Sequence, residues 1–228
     1  MSFQKLCGAA AIGFAVLLLS INAILVPSGF PLPGSPLSDA ELADFFATHS
    51  GVLRFASTLT VFGWLLGSVF AVGAFAALWP GERARGSAWS VLGLAGVLMQ
   101  NVTFTALEAL RLGLISGARH DAVPVLWGFY TALFGFNQLF LAMALLGLSL
   151  AGLCTGFIAR WHGGLGLVAA ALLFVSACAA PFMLTGAKPF ALCGGVGWSM
   201  WVGWIAVYGV ALIRHGANRF DGRAVALG

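Results

Sequence analysis

Residues 51–79, GVLRFASTLTVFGWLLGSVFAVGAFAALW, decide the fold. Apart from Arg54 near its start, the stretch holds no charge, and as a helix it is about 43 Å long at 1.5 Å per residue. A bilayer's hydrocarbon layer is about 30 Å thick, so such a helix crosses it with tilt or overhang to spare.

The same pattern recurs on both sides. Across the 228 residues, 61% are hydrophobic and 8% charged, with a mean hydropathy of +1.00. Soluble domains carry about 25% charged residues. The chain is therefore expected to be an all-α, polytopic integral membrane bundle. At about 20 apolar residues per span, its length allows five to seven helices and no separate soluble catalytic domain.

Taken in order, the spans are expected at 6–26, 51–79, 87–112, 124–157, 165–184 and 191–213, forming one six-span domain over residues 1–228. The basic start and apolar run of span one mimic a secretory leader. The run is too long and has no clear small-x-small cleavage site, so it reads as a retained span.

The 27–36 segment is a Pro/Gly/Ser loop, and Ser38-x-x-Glu41 is a capping box opening a short outer helix at 38–48. Leu42, Phe45 and Phe46 line one face of that helix, opposite Asp39, Glu41 and Asp44. Such a face suits either the membrane surface or the top of the bundle. PGERARG and Ala159 to Gly164 read as turns, Pro124 opens span four, Pro181 falls near the end of span five, and the tail from Arg214 reads as polar and frayed.

Lys and Arg set the orientation. Lys5, Arg83, Arg85, Arg160, Arg214, Arg219 and Arg223 fall on one side, against Arg119 and Lys188 in loops on the other. Both termini are expected in the cytoplasm. Trp79, Trp89 and Trp161 suit the inner interface and Trp127 the outer one.

Phe62-Gly63 and Trp89 match Phe134-Gly135 and Trp161 at an offset of 72, a faint repeat relating spans two and three to spans four and five. Gly63-x-x-x-Gly67 and Gly147-x-x-x-Ala151 predict close helix packing.

The layout resembles an uncharacterised bacterial family of six-span membrane proteins, defined only as a domain of unknown function. The residues that carry this are SDAELADFFATHSGVLRFASTL (38–59) and LFLAMALLGLSLAGLCTGFIARWHGGLGLVAAALL (139–173) with its Arg-Trp turn. The resemblance implies a multi-pass protein of the bacterial cytoplasmic (inner) membrane and brings no catalytic motif. The members' third spans are plainer than this one.

Span three departs from plain hydrocarbon at QNVTFTALEALR (100–111). A helix puts Asn101, Thr105 and Glu108 within about 60° of one face, with Arg111 a turn beyond Glu108. Ionisable groups at membrane depth are costly and point to function. Arg54, Ser57 and Thr58 share a face of span two in the same outer half. On span four, Tyr130 and Asn137 share a face, as do Thr131 and Gln138.

One reading is an outward cavity in which Arg54 or Arg111 keeps Glu108 ionised, the amides orient a ligand, and His49 and His120 stand at the mouth. The other has Glu108 and Arg111 pairing along the helix, Arg54 snorkelling to the headgroups and the amides linking helices. Candidate ligand-binding residues are thus Glu108, Arg111, Arg54, Asn101, Thr105, Asn137, Gln138 and Tyr130, with no catalytic residue and no metal ligand assigned.

Other classes fare worse. The basic residues flank spans rather than cluster among surface aromatics, which excludes nucleic acid as a partner. Four histidines at loops or span ends supply no paired haem ligands. No lysine lies within a span to carry a retinal Schiff base, and no Ser/His or Asp/Asp pair has protease spacing.

Cys7, Cys154, Cys178 and Cys193 lack metal-ligand spacing and are expected to pack as small apolar groups, a Cys178–Cys193 disulfide being the alternative. Trp198, Trp201, Trp204 and Tyr208 form a ridge on span six, expected to face the bundle or lipid rather than a ring ligand. No cofactor is expected. The functional expectation is non-enzymatic binding or passage of a lipid-like molecule. The alternatives are an accessory subunit of a larger membrane complex, a homo-oligomer, or an intramembrane enzyme using Glu108.

Overall fold

The computed structural model describes residues 2–33, 35, 37–117, 121–183 and 189–225, and of these the side chains of 183, 189–191 and 217–225 are not described. The elements are α1 (Phe3–Leu25), α2 (Asp39–Thr48), α3 (Ser50–Arg83), α4 (Trp89–Ile115), α5 (Val123–Thr155), α6 (Arg160–Cys178), α7 (Ala180–Met183) and α8 (Pro189–Val225). No strand occurs among the described residues. Among the described residues, six helices are long and apolar enough to cross a membrane: α1, α3, α4, α5, α6 and the 192–216 part of α8. The protein is a helical membrane bundle.

The long helices pack in chain order, α1 on α3, α3 on α4, α4 on α5, α5 on α6 and α6 on α8, and α8 closes the ring on α1. Phe70 of α3 reaches Tyr208 of α8 across the middle, with ring centroids 5.7 Å apart. Around them Trp204, Leu145 and Leu148 fill the centre. Trp201, Trp204 and Tyr208 are buried, so the α8 ridge faces the bundle.

Several boundaries differ from the sequence expectation. α1 begins at Phe3 because Ser2 caps it, its hydroxyl accepting the Lys5 N–H at 3.3 Å. α3 runs through Pro80 to Arg83, since a proline ring already has helical φ and costs one backbone bond. The chain instead turns at Gly86, where φ is +68°.

α5 stops at Thr155 because Gly156 adopts φ +70° and the Phe157 N–H folds back to the Gly152 carbonyl at 2.8 Å. That early stop lets α6 start at Arg160, so 160–164 is helix rather than turn, and His162 lies in its first turn. Span five ends at Cys178, with Pro181 in the separate short α7. The tail is helical to Val225, no proline interrupting it.

The capping box is present. The Ser38 hydroxyl accepts the Glu41 N–H and the Glu41 carboxylate accepts the Ser38 N–H at 2.8 Å. Leu42 and Phe46 are buried against the bundle.

The small-residue seams are filled within the chain. Gly63 and Gly67 receive Phe14 of α1. Gly147 lies against the Gly93 backbone, where an added Cβ would sit 2.6 Å from the Trp89 carbonyl oxygen. Shifted by 72, α3 falls on 122–155, within a residue of α5, and Trp89 and Trp161 both sit at the start of the following helix.

Among the cysteines, Cys7 is buried while Cys154 and Cys178 are exposed, and all four are free. Only Cys7 is the buried packer expected.

Candidate functional site

α4 presents Glu108 and Arg111 one turn apart, so both side chains leave the helix on the same side. They form an ion pair of 2.6 Å, with Arg111 2% and Glu108 9% exposed. Arg111 Nη2 also donates to the Ser57 hydroxyl of α3 at 3.0 Å. Its Nε is buried and has no hydrogen-bond partner.

Phe30, carried by the loop between α1 and α2, covers the guanidinium, with Arg111 Cζ 6.0 Å from the ring centroid. A cation over a desolvated ring face gains attraction from the ring quadrupole. Phe30 in turn meets Tyr130 at 6.0 Å, Trp127 at 6.2 Å, Phe45 at 6.2 Å and Phe46 at 6.3 Å. Trp127 and Tyr130 stack at 5.1 Å, and Tyr130 stacks on Phe134 at 6.4 Å. The site is a neutral ion pair beneath an aromatic roof.

α5 adds polar groups without partners. Asn137 Oδ1, Gln138 Oε1 and Thr131 Oγ1 are all buried and have no hydrogen-bond partner among the described residues. Asn137 is two turns along from Tyr130 on the same stripe. Gln138 and Thr131 turn toward the side where Gly135 meets Ala180 of α7. Buried polar atoms are nearly always bonded in folded proteins, so this grouping calls for an explanation.

Other expected site residues stand elsewhere. Arg54 is exposed and does not reach Glu108, because Ser57 rather than Arg54 is the α3 side chain turned inward. It lines a cleft of about 410 Å³ with Ala43, Leu114, Ile115, Ser116 and Val123, between α2 and the ends of α4 and α5. Thr105 is exposed, and its hydroxyl is spent on the Asn101 carbonyl at 2.9 Å.

Asn101 links helices, Nδ2 donating to the Trp64 carbonyl at 3.2 Å and the Ser68 hydroxyl at 2.9 Å. His49 stacks on Phe45 at 4.4 Å, and its Nδ1 lies 3.1 Å from the Phe45 carbonyl, on the roof rather than at an open mouth. His120 and Arg119 lie outside the described residues.

Two residues went unread in the sequence. Phe30 is the one aromatic in the 27–36 loop, which was its available signal. Glu82 is fully buried at the other end of α3, both carboxylate oxygens receiving the Ser90 N–H at 3.0 and 3.2 Å. An acid a few residues ahead of a helix start is a cap signal that reading PGERARG as a plain turn passes over.

Among the described residues no group of three or more His, Cys, Asp or Glu is arranged to hold a metal ion. No protein-family model, curated protein or solved structure matches the chain.

Proposed function

We propose that the protein binds, or passes across the membrane, a lipid-like apolar or amphipathic small molecule at the Glu108–Arg111 site, without covalent chemistry. The observation that carries this reading is Arg111, 2% exposed, whose Nε–H has no acceptor among the described residues. A buried donor left unmade costs more than a made bond returns, so its retention points to an acceptor supplied from outside the chain.

The ion pair is already neutral, which favours an uncharged head such as a hydroxyl or carbonyl over a phosphate. Phe30, Trp127, Tyr130 and Phe134 offer an apolar body ring faces and edges. Glu108 is engaged at 2.6 Å by Arg111, which leaves it poorly placed to act as a free acid or base. The small-residue seams are used inside the chain and lend the accessory-subunit reading no support.

Native mass spectrometry of purified protein reconstituted with membrane lipid extract tests the proposal. The wild type is expected to retain a defined small molecule under activation that strips bulk lipid. Replacing the pair together, Glu108→Leu with Arg111→Met, should weaken retention about tenfold or more, the value of one hydrogen bond to a charged group. Equal retention by the wild type, the pair variant and Glu108→Gln would refute the site.

A further inference from the structure

At the end of the bundle opposite the Glu108–Arg111 pair, a second carboxylate is fully buried, and it has no counter-charge among the described residues: Glu82. It sits in the last turn of α3. The turn at Gly86 brings the start of α4 back against it, so that the Ser90 N–H falls between its two oxygens. The positive end of the α4 dipole accounts for that orientation.

Capping does not account for the rest. The Ser90 side chain is fully buried and its hydroxyl has no partner among the described residues, and the buried Ser87 hydroxyl in the same turn has none either. Two buried hydroxyls thus stand at the helix start whose N–H the Glu82 carboxylate accepts. A carboxylate removed from water without a compensating positive charge is strongly unfavourable, and one retained in that position calls for a cation.

The neighbours supply no such charge. On its own helix Arg83 and Arg85 are exposed, Arg85 donating to the Gly81 carbonyl at 2.9 Å. From α5, Thr155 packs at Gly81 and bonds its own helix at the Ala151 carbonyl. From α8 comes Tyr208, whose phenol donates to the Leu148 carbonyl at 3.4 Å. Beyond it lies His162 of α6, its ring 5.6 Å from that of Tyr208 and its Nε2 3.0 Å from the Trp204 carbonyl.

One carboxylate with hydroxyls is too few anionic donors for a divalent ion, which takes several carboxylates or a substrate phosphate. We propose that Glu82, with the Ser90 and Ser87 hydroxyls, binds a sodium-sized monovalent cation inside this end of the bundle.

Infrared difference spectroscopy on the purified full chain tests this, with sodium stepped against choline at fixed pH. The carboxylate stretches are expected to shift with sodium in the wild type and to lose that shift in Glu82→Gln, and Ser90→Ala needs about tenfold more sodium for the same shift, as expected for one lost ligand. Ser90→Ala keeps the N–H that Glu82 caps, so it reports on the site even where Glu82→Gln folds poorly. A spectrum that does not respond to sodium, or whose response is unchanged in both variants, would overturn the proposal and leave Glu82 a helix cap.

Discussion

Arg111 is the side chain that this bundle can least tolerate alone. With its carboxylate partner at 2.6 Å and the Ser57 hydroxyl at 3.0 Å it is a neutral buried unit. Removing one half leaves an uncompensated charge at a cost of about 3–5 kcal/mol, whereas replacing both with apolar groups of similar volume is near neutral. Glu108→Ala should therefore lower the unfolding temperature of the detergent-purified protein far more than Glu108→Leu combined with Arg111→Met. A double variant as unstable as the single would show that the pair is not the unit described.

Glu41 allows a pH prediction on the outer helix. The Ser38 N–H and hydroxyl, which stabilise its carboxylate, hold its pKa below the ordinary carboxylate value of 4.5. A depressed folded-state value means that the stabilisation is present above the unfolded value and disappears as pH falls through the folded one. Amide hydrogen exchange, corrected for its intrinsic pH dependence, should show protection at Ser38 lost below that lower pH, and already absent at neutral pH in Glu41→Ala.

The Glu108–Arg111 spacing was legible in the sequence because i,i+3 geometry is local. That Arg54 would stand outside was not, because one residue's rotation of α3 decides whether Arg54 or Ser57 faces inward.

At the scale of elements, the α4–α5 seam shows what small residues do where no hydrophobic effect draws helices together. Gly147 has no room for a methyl: its added Cβ would meet the Gly93 nitrogen and the Trp89 carbonyl oxygen, both backbone. Gly128, on the same helix, has open space. Gly147→Ala should destabilise the protein by about 1–3 kcal/mol through overpacking, and Gly128→Ala should not, as thermal unfolding of the two side by side would reveal.

The capping box, Pro124 and the apolar runs made most helices readable. The ends that misled were those set by glycine backbone conformation, Gly86 and Gly156, since a proline such as Pro80 marks a stop in sequence that a helix can run through. The packing of α2 was open between membrane surface and bundle top until Leu42 and Phe46 proved buried.

For the whole molecule, an even number of antiparallel spans closed by α1 on α8 puts both chain ends at one end of the bundle, where Gly216 lies against Ser2 and Lys5. Lys5, Arg83, Arg85, Arg160 and Arg214 belong to that end as well, and the outer helix with Asp39, Glu41 and Asp44 to the other. By the positive-inside rule the termini are expected in the cytoplasm. Single-cysteine labelling in intact cells should find a cysteine at Ser35 accessible to an impermeant maleimide, and one at Ser2 protected until the membrane is opened. The reverse pattern would invert the orientation.

Composition alone sufficed for the membrane class. The closed ring, the central Phe70–Tyr208 contact and the roof of Phe30 depend on which faces meet across sequence separations that periodicity does not encode.

The central claim is that the outer halves of α3, α4 and α5 hold a ligand against Arg111. It is tested most directly by electron cryo-microscopy of the protein in nanodiscs of native lipid. The account predicts ordered non-protein density beneath or in place of the Phe30 ring, within hydrogen-bonding distance of Arg111 Nε. A map of comparable quality showing Phe30 seated on the guanidinium, with lipid density confined to the outer surface of the bundle, would contradict it.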